Sequence, residues 1–304
     1  MKILCATDLL PKSESAIDRA GMLAEHLGAD LSLLHAAPPT ESDQMLEQDV
    51  QRASRQLKFR AGQALWRYGP LPSVHVRAGN PTRVLLDTMK ELRPDLIVLG
   101  KHHRRTVWDS LFGTIAVRVL SARQCPVLIV QRMPLAAYRN VVLALDRTKA
   151  SAEAVRVTES MVLKDGTSAK VIHAHQMTSD GMLTSAEVVG GVASEYFAAH
   201  RLAASGALRA LLADVSNDPS RYRFAIEDGP PAEAIRNVVG HLNPDLLAMG
   251  TRGHGWLRRV LLGSVANRML ATIRCDVLVV PEPVDVTSWR EPIDHRSLDV
   301  ITGV

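Results

Sequence analysis

Small residues in the last third of the chain share a spacing that suits phosphate. Gly250-Thr251-Arg252-Gly253-His254-Gly255 opens a stretch that ends at Gly263-Ser264, a G-x2-G-x9-G-S pattern between the apolar run Leu246 to Met249 and the helical run Ser264 to Ile273. Gly250 and Gly253 lack a Cβ, so they permit unusual backbone angles and close approach by a ligand. Successive N–H groups in such a turn form a concavity for anions. Gly263-Ser264 begins a helix, whose free N–H groups and positive dipole end favour phosphate. Ser264 adds a hydroxyl donor, and Arg252, Arg258 and Arg259 bring positive charge near enough to screen it. Glycines at strand-to-helix turns are often structural, but the full spacing with Ser264 at a helix start favours the ligand.

An internal repeat supplies the elements that position this loop. Lys2-Ile3-Leu4-Cys5-Ala6-Thr7-Asp8 matches Asn140-Val141-Val142-Leu143-Ala144-Leu145-Asp146, and Leu33-Leu34-His35-Ala36 matches Val171-Ile172-His173-Ala174, both at an offset of 138. Gly79-Asn80-Pro81, Pro94 to Gly100 and Cys125 to Val130 recur at an offset of 150, as Gly229-Pro230-Pro231, Pro244 to Gly250 and Cys275 to Val280. The growth from 138 to 150 places twelve inserted residues between the second and third strands of the second copy. The boundary falls near Met133 to Arg139, and a polar tail starts near residue 284.

Each copy reads as alternating strands and helices. In the first, strands are expected at Ile3–Thr7, Leu31–His35, Val74–Arg77, Leu96–Leu99 and Val127–Val130. Helices are expected at Ser13–Leu27, Gln44–Tyr68, Pro81–Leu92 and Thr114–Ala122. The short continuous apolar runs are those of strands buried on both faces. The alternation implies an α/β fold: two repeated domains, each a five-stranded parallel open sheet with helices on both faces. Ligands of such sheets sit beyond the carboxyl ends of the strands, where Asp146, Ala174 and Gly250 fall.

The loop spacing, the strand-one aspartate and the length of the module together resemble the universal stress protein family, over residues 1–133 and 139–283. The resemblance implies an adenine nucleotide alpha hydrolase-like fold and ATP as ligand, alone or with Mg. It carries adenine-side contacts onto Ala144, Asp146 and Ala174, and phosphate and ribose contacts onto Met249, Gly250, Gly253, Gly263, Ser264 and Val265. It also implies pairing of the two domains through their fifth strands, Val127–Val130 against Val277–Val280, which keeps edge strands covered. A homodimer of whole chains is left open.

The first copy departs from the pattern. Its loop runs Gly100-Lys101-His102-His103-Arg104-Arg105 before Gly113-Thr114, so His103 stands where the second copy has Gly253 and Arg105 where it has Gly255. Ala6 and Asp8 are kept, which confines the expected loss of nucleotide binding to the loop. Several residues also have plainer readings. Asp146 suits a helix cap, since aspartate is favoured there. His35 and His173 read as packed side chains, the His102-His103 pair as a solvated loop, and Leu202, Leu208, Leu211 and Leu212 as the core face of a helix.

Composition bounds the rest. The chain has 304 residues, 46% hydrophobic and 22% charged, enough for two ordinary globular domains. A balance of 36 Lys+Arg against 32 Asp+Glu, spread along the chain, lacks the clustered basic stripe of a nucleic-acid binder. No segment nears the roughly 20 apolar residues of a membrane span. Asp8 interrupts the first apolar run too early for a signal sequence, so a cytoplasmic protein is expected. The three cysteines form no CxxC pair and read as small core residues of a reducing compartment. The implied activity is a stress-response binding and signalling module. An ATP-using enzyme is the competing class, and against it stand the absence of G-x-x-x-x-G-K-[ST] and of a carboxylate other than Asp146 near the ligand. A scaffold with vestigial loops is a third reading, better suited to the first copy.

Overall fold

The computed structural model describes residues 1–69, 71–101, 114–122, 124–163, 167, 169–175, 192–251 and 264–282. In the first copy, β1 (Lys2–Ala6), α1 (Glu14–Leu27), β2 (Asp30–Ala37), α2 (Asp43–Tyr68) and β3 (Ser73–Ala78) come first. Next are α3 (Pro81–Leu92), β4 (Leu96–Gly100), α4 (Thr114–Ala122) and β5 (Val127–Val130). The second copy begins with β6 (Val141–Ala144), α5 (Lys149–Met161), β7 (Ala169–His175), α6 (Val192–Val215) and β8 (Tyr222–Asp228). It ends with α7 (Pro231–Leu242), β9 (Leu246–Gly250), α8 (Ser264–Thr272) and β10 (Asp276–Val280). Residues 176–191 stand where the first copy needs only residues 38–42 between strand and helix, which locates most of the insertion.

Helix boundaries follow from local chemistry. Ser42 caps α2 by accepting the Met45 N–H at 3.2 Å, and Asn80 caps α3 by accepting from Thr82 and Arg83. Gly28 ends α1 at φ 59°, a left-handed angle that costs a glycine little. Both α3 and α7 begin at a proline, whose fixed φ and missing N–H suit a first helical turn.

The ten strands of the described residues form one sheet in the order β3-β2-β1-β4-β5-β10-β9-β6-β7-β8. Pairing is parallel within each copy and antiparallel at the junction, where Ile129 faces Val277, Leu128 faces Leu278 and Val127 faces Val279. The expected pairing of fifth strands is therefore present. It merges the two five-stranded sheets and covers what would otherwise be two apolar edges.

Alternate strand residues feed two cores. Ile3, Cys5, Leu33 and Val98 pack with α1, α2, α5 and α6 on one face. Leu4, Leu34, Ile97 and Val127 pack with α3, α4, α7 and α8 on the other. Each core runs through the junction into both copies, so the domains share apolar packing as well as strand pairing. Leu208 and Leu212 lie in the first core with Leu211 packed against it, as expected, whereas Leu202 is 76% exposed.

A polar latch reinforces the junction. Asp276, at the start of β10, accepts the Tyr138 hydroxyl at 2.7 Å and the Gln131 N–H at 2.8 Å, and its carboxylate lies 3.4 Å from Arg19 of α1. Arg19 donates to the Ala136 carbonyl at 2.9 Å and stacks over the Tyr138 ring. The linker between the copies is thus pinned from both sides.

The thiols of Cys5, Cys125 and Cys275 are free and buried. Burial pushes the first two up to about 12 and the third to about 11. The loop glycines Gly253 and Gly263, the arginines 252, 258 and 259, the loop His102 to Arg105 and the tail 284–304 lie outside the described residues.

Candidate functional site

The chain goes outward from β1 to β2 and β3, then returns to the other side of β1 for β4 and β5, and the second copy repeats this. The sheet therefore reverses its winding between β1 and β4 and between β6 and β9, and such a reversal opens a crevice beyond the strands' carboxyl ends. In the second copy the described pattern residues lie at or near these strand ends and at the start of α8. Ala144 of β6 and Met249 of β9 are direct partners across the reversal, both buried. Gly250 ends β9, Asp146 lies two residues beyond β6, and Ala174 sits near the end of β7. Val265 lies at the start of α8, against the second core. Of Ser264, the structure describes the backbone, which begins α8.

Gly250 has a reason of its own to be glycine. A Cβ built on it would stand 2.6 Å from the Ala150 carbonyl carbon and 2.7 Å from its oxygen, closer than real Cβ contacts come. Its backbone is not in the left-handed region. The close approach expected at Gly250 is thus made by the first turn of α5, which packs directly on the end of β9. That contact sets α5, and the turn before it, beside the crevice.

Asp146 is fixed by that turn. Its Oδ1 accepts the Thr148 N–H at 3.0 Å, the Thr148 hydroxyl, and the Ser151 hydroxyl at 2.8 Å. Ser151 Oγ in turn accepts the Asp146 N–H at 2.9 Å. Thr148, not Asp146, is the N-cap of α5. Thr148 and Ser151 are supporting residues that the loop pattern did not single out. The spacing D-x-T-x-x-S was the signal available.

The same turn is built differently in the first copy, so the divergence is not confined to the loop. Asp8 is exposed, accepts the Leu10 N–H at 3.0 Å, and among the described residues makes no bond to Ser13, the counterpart of Ser151. Ser13 bonds instead with Thr7, at 2.7 Å. Leu9 has φ 61°, an uncommon angle for a branched residue, and Leu10 stands where the second copy has its Thr148 cap. A short 3-10 turn, Pro11–Ser13, precedes α1.

The histidines at the ends of β2 and β7 play one part in both copies. His35 Nδ1 lies 2.9 Å from the Thr7 carbonyl oxygen, and His173 Nδ1 lies 2.9 Å from that of Leu145. A carbonyl only accepts, so Nδ1 carries the proton and ties neighbouring strand ends together.

Thr251, the residue after Gly250, is a further site residue. It is 5% exposed, and its hydroxyl is buried with no hydrogen-bond partner. Strand alternation turns it away from α5 and toward the side of α7 and α8. An orphaned hydroxyl beside the crevice is what a bound polar ligand or water would satisfy. Among the described residues no group of three or more His, Cys, Asp or Glu side chains could hold a metal ion. Nor is any helix among them long and apolar enough to cross a membrane. A cavity of about 250 Å³ lined by Lys2, Asp30, Leu71 and Leu92 opens at the amino ends of β1 and β2, the opposite end from these residues.

Known proteins share this fold. The model of the universal stress protein family matches residues 1–131 and again 137–281. A universal stress protein of Synechocystis is 23% identical over 150 residues, 47% of this chain and 97% of the relative. Universal stress protein A homolog 1 of Coxiella burnetii is 30% identical over 140 residues, 42% of this chain and 94% of the relative. Among solved structures, a universal stress protein from Archaeoglobus fulgidus superposes with a TM-score of 0.66 at 19% identity, covering 92% of this chain and 96% of its own. Two matches side by side account for the repeat, and the chain belongs to the universal stress protein family.

Proposed function

We propose that the chain binds one adenine nucleotide, ATP, in the crevice of its second copy, and that it works as a stress-response binding module. The observation that carries this reading is the orphaned Thr251 hydroxyl beside the reversal between β6 and β9. Ala144, Asp146 and Ala174 would line the adenine side. The backbone around Gly250, Gly253, Gly263 and Ser264, with Met249 and Val265, would receive ribose and phosphates. A bound nucleotide would alter signalling only through different affinities for two states of the protein or its partner surface. Any Mg would arrive with the phosphates, since no protein cluster stands ready for it among the described residues.

Binding without rapid turnover fits the state of Asp146. Hydrolysis needs a base aimed at water, and Asp146 Oδ1 is already engaged by Thr148 and Ser151. The first copy is proposed to serve as a structural domain, because both its loop and its β1–α1 turn differ from those of the second. Calorimetric titration of the full chain with ATP tests the reading. One site per chain is expected, lost in Gly263→Val, with no phosphate released over the time of the titration. Two equivalent sites, or none, would overturn it.

A further inference from the structure

We propose that the outward face of α2 docks on an anionic membrane surface. Met45, Phe59 and Trp66 lie on one line of the helix, at multiples of seven residues, with Arg52 in the same register. They are 56%, 64% and 87% exposed. The buried residues of α2, Ala53, Leu57, Ala61 and Ala64, face the sheet from the opposite side of the helix. Core packing therefore does not explain Phe59 and Trp66. Gly62 lies between them with open space where a Cβ would stand, which leaves the two rings unobstructed along the ridge. The fold does not require aromatic residues here. Residues 203–215, the later half of the equivalent helix α6, contain none.

The charge on this segment selects the occupant. From residue 50 to 68 the helix carries Arg52, Arg55, Lys58, Arg60 and Arg67 and no Asp or Glu. Arg60 and Arg67 pair with Glu14 and Asp18 of α1, and Arg52 pairs with Asp49. Arg55 and Lys58 are exposed and make no ion pair among the described residues, and both lie on one side of the aromatic line, Arg55 near it and Lys58 about a quarter turn away. A protein partner needs roughly 20 residues a side for a stable interface, far more than one ridge of three apolar side chains offers. A lipid surface asks for no groove. Trp and Phe enter the headgroup boundary while Arg and Lys reach anionic headgroups.

Vesicle sedimentation of the full chain tests this. The probes are phosphatidylcholine vesicles and vesicles of phosphatidylcholine mixed with phosphatidylglycerol. The parent should pellet with the anionic vesicles only, and less so as salt is raised. The pairs Phe59→Ser with Trp66→Ser, and Arg55→Gln with Lys58→Gln, should each weaken binding by about tenfold or more. Circular dichroism should show both variants folded, since every substituted side chain is exposed. Failure of the parent to pellet with anionic vesicles overturns the proposal, as does equal pelleting by folded variants. A parent that is dimeric in sedimentation equilibrium and becomes monomeric in the aromatic variant also overturns it, in favour of a second copy.

Discussion

Arg19 of α1 and Asp276 of β10 meet 3.4 Å apart, 7% and 2% exposed, across the junction of the two copies. The first copy has Pro126 where the second has Asp276, so this contact breaks the repeat symmetry. A buried carboxylate is tolerated only when its oxygens are satisfied. Here Tyr138 and the backbone N–H of Gln131 complete the set with Arg19.

Removing one member should therefore leave the others stranded. Asp276→Ala is expected to lower stability by about 3–5 kcal/mol, the usual effect of breaking a buried pair. Urea unfolding of the full chain measures it. A loss under about 1 kcal/mol would mean that water already reaches the latch.

The two glycines that end β4 and β9 should respond differently. Gly250→Ala collides with the Ala150 backbone and is expected to destabilise by about 1–3 kcal/mol. A Cβ on Gly100 would stand 3.4 Å from Ser13 Cα, an ordinary contact, so Gly100→Ala should stay within about 0.5 kcal/mol of the parent. Thermal melts of both variants decide the matter, and equal shifts would contradict the packing argument.

Alkaline pH should loosen the junction. Burial, and then the Asp276 carboxylate, raises Tyr138 well above its ordinary 10.0. The folded chain thus favours the neutral phenol. That stability is complete below about pH 10 and is lost as pH rises toward the folded value. Unfolding free energies measured at a series of pH values from about 8 to 11 should fall less steeply for Tyr138→Phe than for the parent. Parallel curves would remove Tyr138 as a source of the loss.

The cysteines should be inert while the chain is folded. Reaction needs thiolate, and burial raises all three thiols to about 11 or 12. At about pH 8 a thiol reagent should modify none in the native protein and all three in denaturant. Rapid modification of any one without denaturant would mean that its strand opens locally.

Much of this protein was legible because its signals are local. Strands β4 and β5 and helices α3 and α4 follow from runs of apolar residues and from Pro81, Gly100 and Thr114 at their ends. The repeat doubled the evidence for every element, and the family resemblance implied the pairing of the fifth strands that the sheet contains. The proposed site was read from a loop spacing, since backbone N–H groups can bind anions where small residues let them converge.

What stayed hidden depends on which distant surfaces touch. No local pattern distinguishes a glycine spared for a ligand from one spared for Ala150, because both need only a missing Cβ. The apparent match of Asp8 to Asp146 concealed two different turns, since the decisive partners are Thr148 and Ser151 in one copy and Thr7 and Ser13 in the other. Phe59 and Trp66 read as members of a helix, and only the packing of α2 against the sheet turned them outward. Arg19 and Asp276 belong to different copies and acquire their meaning when the antiparallel junction buries both charges together. Sequence determined the elements and their order because hydrogen-bonded periodicity is set by neighbours along the chain. The tertiary structure decided the roles of single side chains, because burial and pairing are set by neighbours in space.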